Sequence, residues 1–429
     1  NSAIGGFQGI RQVTMRTRRL GARIGVRAGD TFSALRYPNY RLWFFGQMIS
    51  LFGTWMQSTA QGYLVYELTA SARYLGYVSF ASGVPTWLLM LYGGVVADRV
   101  PRRTLLVITQ TGMMVLALVL SALTMLGLVQ PWHIIILSAL LGACNAFDAP
   151  ARQAFVLEMV DREDLTNAIA LNSAMFNTAT VLGPAVGGLV YARFGPAWCF
   201  AINGATFLAV IAALLAMRLA PLPRRPMQGG VLAELQEGLR YVAKHATIRM
   251  LVTLVAAVTL FCISFGTLIP AWAVRILRGD ATTNGLLVSA RGVGALIGAL
   301  LIASLGRPRF RGKLLSVGSL AFPLGLIAFS MVRWLPLSLL TLLGVGTAQI
   351  MVMNLANSLV QTEAADELRG RVMAIYSLVF LGLMPVGGLI AGAVAQEIGE
   401  PVTVILSALV GLACAVAIQL RMPWLRKLG

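Results

Sequence analysis

The sequence predicts an all-α integral membrane protein with twelve transmembrane helices arranged as two six-helix bundles. Its composition is 58% hydrophobic and only 12% charged, whereas soluble domains carry about 25% charged residues. Apolar runs, each long enough to cross a bilayer, recur along the chain. A motif in the fifth run returns in the eleventh about 200 residues later, which indicates a duplicated helical unit.

The predicted helices follow one another with short connections and a single long one. Helix punctuation marks the junctions, as at Pro131, Gly195-Pro196 and Gly399-Glu400-Pro401. An even number of crossings places both chain ends on the same side. The twelve predicted runs are about 42–66, 73–97, 104–128, 133–157, 165–192, 197–218, 248–274, 282–305, 313–333, 335–361, 370–396 and 401–421.

The long connection divides the chain into two halves. Its apolar residues recur at helical spacing, which predicts an amphipathic helix lying on the membrane surface. These residues are Val231, Leu232, Leu235, Leu239 and Val242. The predicted domains are a basic N-terminal arm at 1–40, a first bundle at 41–219, a linker with the amphipathic helix at 220–247, a second bundle at 248–421 and a tail at 422–429.

The positive charges are distributed unevenly between the two sides of the predicted membrane. The net charge is +18, and 28 Lys and Arg fall in loops on one side against five on the other. By the positive-inside rule, both termini lie in the cytoplasm and the protein is a multi-pass protein of the cytoplasmic (inner) membrane. Anionic lipid headgroups explain the basic surplus better than nucleic acid does. The arginine-rich, acid-poor arm also fits a transit peptide.

A basic loop follows the second apolar run. Gly94 begins a decapeptide that contains Asp98 and three arginines, Arg99, Arg102 and Arg103, between two runs of about 25 residues. This order resembles the loop signature of the major facilitator superfamily, although Pro101 stands where that family usually has glycine. The resemblance implies that these residues hold a cytoplasmic gate closed, against the start of the eleventh span near Arg369 and Arg371.

The fifth run carries a proline flanked by glycines. Proline bends a helix and glycine lets a neighbouring helix approach closely, so Gly183, Pro184, Gly187 and Gly188 predict a bend at a helix contact. They resemble the motif of superfamily members that export substrate in exchange for protons. Together with segments around 46–66, 145–153 and 167–177, they are similar to the transmembrane secretion effector branch, whose members include exporters like that of enterobactin.

Polar residues in the apolar runs are candidates for a substrate pathway. The amide stripe of the first run, defined as Gln47, Ser50, Thr54, Gln57 and Gln61, has spacings of 3 and 4 residues and therefore follows one side of a helix. A bare polar stripe in hydrocarbon costs several kcal/mol, so it faces either a watery cavity or a neighbouring helix. The predicted pathway residues are Thr54, Gln57, Gln61, Asn145, Asn177, Arg291 and Asn354.

Ionisable residues within the runs are functional candidates by default. Asp148 and Glu67 are the proton-coupling candidates, with Asp98 a third. Arg152 lies one helical turn after Asp148 and could instead neutralise it. Arg291 either extends to an interface or contacts a substrate. Thr180 replaces an arginine that the resemblance leads us to expect, which leaves proton antiport open.

The sequence favours a secondary active transporter that exports a small amphipathic molecule, such as a siderophore, drug or secondary metabolite, by alternating access. The alternatives are a non-transporting subunit or assembly factor of a larger complex, and a lipid or lysophospholipid flippase. No Ser-His pair, metal-ligand spacing or paired carboxylates occur, so we expect neither enzymatic activity nor a cofactor or metal. The expected partners are a small-molecule substrate and membrane lipids. The sequence is compatible with either a monomer or a subunit of a larger membrane complex.

Overall fold

The computed structural model describes residues 32–218, 231–305 and 310–424, with the backbone alone for 231–234. Most of the predicted arm, the prolines of the linker and the end of the tail lie outside these residues. Within them the chain forms thirteen helices and no strand. The helices are α1 Pro38–Thr69, α2 Ala72–Arg99, α3 Arg102–Met125, α4 Pro131–Phe155, α5 Leu165–Phe194, α6 Pro196–Ala216, α7 Val231–Lys244, α8 Ala246–Ile276, α9 Ala281–Ser304, α10 Arg311–Met331, α11 Leu335–Glu363, α12 Arg369–Ile398 and α13 Glu400–Arg421.

Eleven of the described helices are long and apolar enough to cross a membrane. The two others are α7, which has 14 residues, and α1, which has 32. The length of α1 corresponds to about 48 Å, more than a bilayer requires. Because the amide stripe lowers its hydropathy, α1 does not reach the apolarity of the other spans. Each of the twelve predicted runs falls on a helix.

The helices form two bundles, α1–α6 and α8–α13. In the first, α1 packs against α5 and α6, and α4 packs against α2 and α3. In the second, α11 packs against α9 and α10, and α10 also contacts α13. The second bundle has one continuous hydrophobic core, whereas the core of the first is divided into a cluster at each end and a small third cluster around Leu51 and Met175.

The turn between the last two helices of each bundle is the same. Gly195 has a φ of 88° and Gly399 a φ of 83°, a region that side chains disfavour. Each glycine ends one helix, and a proline within the next two residues starts the following one. This repeated turn supports the internal duplication that the sequence predicts.

Helix α8 is irregular over most of its length. It is α-helical at Ala246–Ala257, forms a π-turn at Val258–Cys262 and a 3-10 segment at Ile263–Leu268, is α-helical again at Ile269–Ala271, and ends in a second π-turn at Trp272–Ile276. Pro270 lacks the N–H that a regular helix needs. Irregular turns of this kind within a helix often mark a functional hinge.

Helix α7, the predicted amphipathic helix, packs against α12. Arg371 forms a 2.7 Å ion pair with Glu237, and the hydroxyl of Tyr241 accepts a hydrogen bond from the backbone of Ala365. Val242 is buried against the core of the second bundle while Leu239 is exposed. The helix is therefore attached to the second bundle through α12.

Candidate functional site

The two ends of the bundles differ in charge. We call the end at which α1 begins the Arg-rich end, and the other the opposite end. Arginines at the Arg-rich end include Arg36, Arg102, Arg103, Arg152, Arg218, Arg311, Arg369 and Arg371, whereas the opposite end carries Arg73, Arg193, Arg275, Arg278 and Arg333.

A cavity of about 460 Å³ lies between the two bundles. This volume falls within the range of small-molecule sites. Most of its lining residues are polar, with an apolar minority, and Arg152 is the single charged one. The lining residues are Gln47, Leu51, Arg152, Gln153, Asn172, Ser173, Phe176, Asn177, Ala299, Ile350 and Asn354. They belong to the halves of α1, α4, α5, α9 and α11 nearer the Arg-rich end.

Two seams join the bundles, and both depend on glycine. In the seam between α5 and α9, a Cβ on Gly285 would lie 2.4 Å from the carbonyl oxygen of Pro184. A Cβ on Gly188 would lie 2.5 Å from that of Ala281. Real side chains do not approach so closely, so the two backbones are in contact only because these residues are glycines.

The seam between α2 and α12 uses the equivalent motif of the second half. A Cβ on Gly392 would lie 2.6 Å from the carbonyl oxygen of Ala72, and one on Gly83 would meet the ring of Pro385. The indole of Trp87 packs against Gly382 and donates a 3.1 Å hydrogen bond to the carbonyl of Leu378.

The motif at 183–188 in α5 contacts two helices at once. Gly183 and Gly187 face the backbone of α1 near Trp55 and Met56, while Pro184 and Gly188 face α9. In α12, Gly387 faces α8 and Gly388 faces α2. In each half, the motif packs its helix both on the first helix of its own bundle and on a helix of the other bundle.

The opposite end of the molecule is closed. Ser71 donates to Gln396 at 2.8 Å and Arg73 pairs with Glu397 at 2.5 Å, both between α2 and α12. The amide of Asn284 in α9 reaches the carbonyl of Thr59 in α1 at 3.4 Å. A hydrophobic cluster at this end also includes residues from both bundles.

Contacts between the bundles weaken toward the Arg-rich end. Toward the Arg-rich end, the backbone contacts of the first seam extend as far as Gly292 with Thr180. The second seam extends as far as the hydrogen bond of Trp87. Beyond Trp87 in α2, Leu88 and Tyr92 are 61% and 62% exposed. The cavity therefore lies on the side of the seams that faces the Arg-rich end.

The amide stripe of α1 divides among several environments. Gln47 lines the cavity. Gln57 accepts a 2.6 Å hydrogen bond from Asn203 of α6, and Gln61 donates a 2.8 Å bond to Ser138 of α4. Thr54 is exposed, and its hydroxyl donates to the carbonyl of Ser50. In this conformation, Gln57 and Gln61 serve as contacts between helices of one bundle rather than as cavity walls.

Two of the other predicted pathway residues line the cavity. Asn177 and Asn354 are among its walls. Asn145 donates to the carbonyl of Leu141 within α4, away from the cavity walls. Arg291 lies deeper, with its guanidinium carbon 5.7 Å from the ring centre of Phe265.

Asp148 is buried, with 1% of its surface exposed. Its Oδ1 accepts hydrogen bonds from Thr109 at 3.0 Å and Gln110 at 2.8 Å, both from α3. Arg152 lies 3.6 Å from its Oδ2 and also lines the cavity. Helix α4 continues through Pro150, so the pair spans one turn as the sequence predicts. The carboxylate thus contacts the cavity through Arg152.

Glu67 lies at the opposite end, far from Asp148. It is exposed and accepts a hydrogen bond from the hydroxyl of Tyr191 in α5. Tyr63 packs edge-on against Tyr191, with ring centres 5.0 Å apart. The two proton-coupling candidates therefore occupy opposite ends of the first bundle.

The basic loop contacts its own bundle at the Arg-rich end. Asp98 pairs with Arg102 at 3.4 Å, and Arg102 also pairs with Glu158 at 2.8 Å. Arg103 donates to the carbonyl of Leu215. Gly94 has open space where a Cβ would be, and Arg99 is exposed.

At the start of α12, the arginines pair elsewhere. Arg369 pairs with Asp366, three residues before it, and Arg371 with Glu237 of α7. The predicted contact of the basic loop with α12 is therefore not made in this conformation, in which the two bundles are separated at the Arg-rich end.

The segment before α1 is anchored to the start of α5. Arg36 pairs with Asp164 at 2.5 Å, and the hydroxyl of Tyr37 donates to the same carboxylate at 2.8 Å. Hydrogen bonds from Ser33 and Tyr37, together with the charge of Arg36, hold the pKa of Asp164 below its ordinary value. The entry to α1 is thus attached to its own bundle.

Sequence analysis missed several cavity residues as candidates, chiefly Gln153, Asn172, Ser173 and Phe176. A signal for them exists, because Asn172, Ser173, Phe176 and Asn177 share one helical face of α5. The same periodicity that identified the amide stripe in α1 would have identified them. Their position across the cavity from Ala299 of α9 and Asn354 of α11 has no such signal.

The profile of a family described as transmembrane secretion effectors matches residues 29–427. The multidrug efflux pump Tap of Mycolicibacterium fortuitum is 27% identical over 379 residues, which cover 85% of this chain and 91% of the relative. The staphyloferrin A transporter of Staphylococcus aureus is 24% identical, with 83% and 90% covered. The enterobactin exporter EntS of Shigella flexneri is 25% identical, with 80% and 81% covered.

Solved structures share the fold at low sequence identity. The nucleoside transporter NupG superimposes with a TM-score of 0.70 at 14% identity, over 90% of this chain and 98% of that one. A bacterial homologue of the human lysosomal transporter Spinster, in an inward-facing and unoccupied conformation, gives 0.64 at 16% identity, over 91% and 96%. Because the family profile spans both bundles and the relatives align over the same length, this chain belongs to the transmembrane secretion effector family of the major facilitator superfamily.

Proposed function

We propose that this protein exports a small amphipathic molecule, of the siderophore, drug or secondary-metabolite class, by alternating access. The observation that carries the proposal is a cavity between two bundles that is closed at one end only. Its walls combine amides with Leu51, Phe176 and Ile350, and Arg152 is the single charge. Such walls suit a molecule with both polar and apolar surface. The relatives that pump drugs or export enterobactin support this choice.

The proposal places the Arg-rich end in the cytoplasm of a cell whose inner membrane holds the protein. The asymmetry of 28 to 5 basic residues between the two sides supports this orientation. In this proposal α1 also crosses the membrane, which brings the number of spans to twelve and places both termini in the cytoplasm. The predicted domains 41–219 and 248–421 are then the two moving bundles. The cavity then faces the compartment from which an exporter takes its substrate.

Alternation would close the Arg-rich end and open the other. Closure would bring the loop of Gly94, Asp98, Arg99, Arg102 and Arg103 toward the start of α12. The side chain of Asp98 is 49% exposed, and its ion pair with Arg102 is long, at 3.4 Å. Exchanging Arg102 for a new arginine partner therefore costs little free energy. The opposite end would open by separating the pairs between α2 and α12.

Proton antiport would use Asp148, with Glu67 as the second candidate. Asp148 contacts the cavity through Arg152, and Thr109 and Gln110 occupy only one of its two carboxylate oxygens. A substrate that attracts Arg152 would draw its positive charge away from this buried carboxylate. This contact links the cavity to the proposed proton carrier.

The test is uptake into inverted membrane vesicles with and without an imposed pH gradient. Ethidium and Hoechst 33342 serve as amphipathic dyes, and enterobactin as a siderophore. We expect gradient-dependent accumulation of at least one of them. Asp148→Asn should remove most of the dependence on the gradient, because an amide cannot carry a proton in place of a carboxylate, whereas Glu163→Gln, which changes an exposed loop carboxylate, should not.

The same preparation separates the alternatives. Absence of uptake of every probe, with recovery of the protein only inside a larger complex, would support a non-transporting subunit. Movement of a fluorescent phospholipid between leaflets, without uptake of the soluble probes, would support a flippase. An unchanged gradient dependence in Asp148→Asn would remove Asp148 as the coupling residue while leaving export intact.

A further inference from the structure

The described part of the chain contains one arginine in the middle of a membrane span. Arg291 is ten residues after the start of α9 and thirteen before its end, or about 15 and 20 Å from either end along the helix. These distances exceed the reach of an arginine side chain, so Arg291 does not extend to an interface. Its charge must be accommodated inside the protein.

Among the described residues, Arg291 has no acidic partner and its guanidinium has no hydrogen-bond acceptor. Its one electrostatic contact is the face of Phe265, 5.7 Å away. A cation–π contact offsets only a small part of the cost of removing a guanidinium from water. A charge in this position is therefore expected to act on a ligand.

The fold makes room for this guanidinium. A Cβ added to Gly266 would lie only 2.5 Å from Nη1 of Arg291, so a side chain at this position would crowd the guanidinium. Gly266 lies in the 3-10 segment of α8, where the helix is irregular. The irregular turn and the glycine together hold the guanidinium against Phe265, which is itself buried.

The direction of Arg291 follows from its neighbours on α9. Asn284 precedes it by seven residues, two helical turns, and so lies on the same face. Asn284 reaches α1 across the boundary between the bundles. Ala299, about two turns further on, lines the cavity. Arg291 therefore lies on the inner side of α9, between the cavity and the closed opposite end.

We infer that Arg291 binds a carboxylate of the transported molecule, so that the substrate is an amphipathic acid rather than a neutral or cationic compound. A planar guanidinium binds a carboxylate through two parallel hydrogen bonds. A site at mid-span, between the cavity and the closed opposite end, is also reachable from either side in turn. This inference rests on the proposed export function and specifies its substrate.

The test measures equilibrium binding in phosphatidylcholine nanodiscs. The probes are dansylglycine, dansylleucine and dansylphenylalanine, each compared with its uncharged methyl ester. We expect the wild type to bind at least one acid about tenfold more tightly than its ester. Arg291→Met should abolish this preference while leaving ester binding unchanged, and Arg291→Lys should retain a part of it.

Two further variants distinguish a ligand contact from a structural one. Gly266→Ala keeps the arginine but crowds its guanidinium, and should also reduce the acid preference. Arg333→Met is the matched control, because Arg333 lies at the same 5.7 Å from the ring of Trp272. Its Nη1 donates to the carbonyls of Ser330 and Val332, so it needs no ligand, and its replacement should not alter the preference.

Three outcomes would overturn the inference. They are a wild type without preference for any acid over its ester, a preference that persists in Arg291→Met, and an equal loss of acid and ester binding in that variant. A fourth arm adds phosphatidylglycerol to the nanodiscs. If this lipid binds through Arg291 and no soluble acid does, the site belongs to a headgroup and the inference is wrong.

Vesicle uptake keeps this inference separate from the proposed function. Acid binding that depends on Arg291, without transport of any probe by the wild type, would contradict export but leave the inference standing. Transport of the dyes without any preference for an acid over its ester would support export and contradict the inference about Arg291.

Discussion

The two seams between the bundles carry related motifs but differ in how they hold. The seam of α5 with α9 is a contact of backbone on backbone at Gly188, Gly285 and Gly292. The seam of α2 with α12 has similar glycine contacts and adds a hydrogen bond from Trp87 and the pair of Arg73 with Glu397. The first seam is held by close backbone packing, and the second also by individual polar bonds, each of which a single substitution can remove.

This difference suggests that the two seams have different roles in the alternating access proposed above. Close glycine contacts tolerate rotation of one helix over another but resist separation, as a hinge requires. Polar bonds near one end of a seam add stability to the state in which that end is closed. We therefore expect the first seam to contribute more to stability and the second to contribute more to the balance between conformations.

The largest expected effect is in the first seam. Gly285→Ala would place a Cβ 2.4 Å from the carbonyl of Pro184, which only a backbone shift can relieve. We expect a loss of about 2 kcal/mol or more in stability and a melting temperature lowered by several degrees. Thermal unfolding in detergent measures it.

The matched control is Gly344→Ala, another glycine within a span. Nothing lies within 4 Å of its added Cβ, so this change should leave the melting temperature unchanged or raise it slightly. Similar losses in both variants would mean that glycine content, rather than contact across the seam, determines the stability.

An intermediate effect is expected at Trp87 in the second seam. Trp87→Phe keeps an aromatic ring against Gly382 but removes the N–H that donates to Leu378. The loss should be about 1 kcal/mol, again measured by melting temperature. Trp334→Phe, at a tryptophan that is 66% exposed, should have no effect. An unchanged stability in Trp87→Phe would contradict a contribution of this bond.

The smallest expected effect concerns the ion pair between α2 and α12. Both partners are partly exposed, with 42% and 67% of their side chains accessible, so the pair contributes about 0.5 kcal/mol. Glu397→Gln should therefore shift the population toward an open opposite end by only about twofold. Distances between spin labels at 126 and 331, both exposed sites at this end, measure the shift.

Charge reversal sharpens this last prediction. Arg73→Glu combined with Glu397→Arg should restore the wild-type distances, whereas either reversal alone should not. Glu163→Gln, which changes an exposed loop carboxylate at the Arg-rich end, is the control without a shift. A shift in Glu163→Gln equal to that of Glu397→Gln would contradict the role of the second seam.

Much of the fold could be predicted from local patterns in the sequence. All twelve apolar runs fall on helices, and the glycine–proline punctuation at Gly195 and Gly399 marks real turns. The pairing of Asp148 with Arg152 is also local, since it joins residues one turn apart on a single helix. The candidate site was predicted less completely. Asn177 and Asn354 lie in the cavity walls, but Gln57 and Gln61 face helices of their own bundle.

The sequence by itself determined the membrane class, the helix boundaries and the duplicated motifs, because each depends on one segment in contact with lipid or on its own neighbours along the chain. The tertiary structure decided which way each polar residue faces. Gln57 meets Asn203, 146 positions away, through the rotation and tilt of two packed helices. It also decided which end is closed, because that depends on contacts such as the pair of Arg73 with Glu397, which joins residues 324 positions apart.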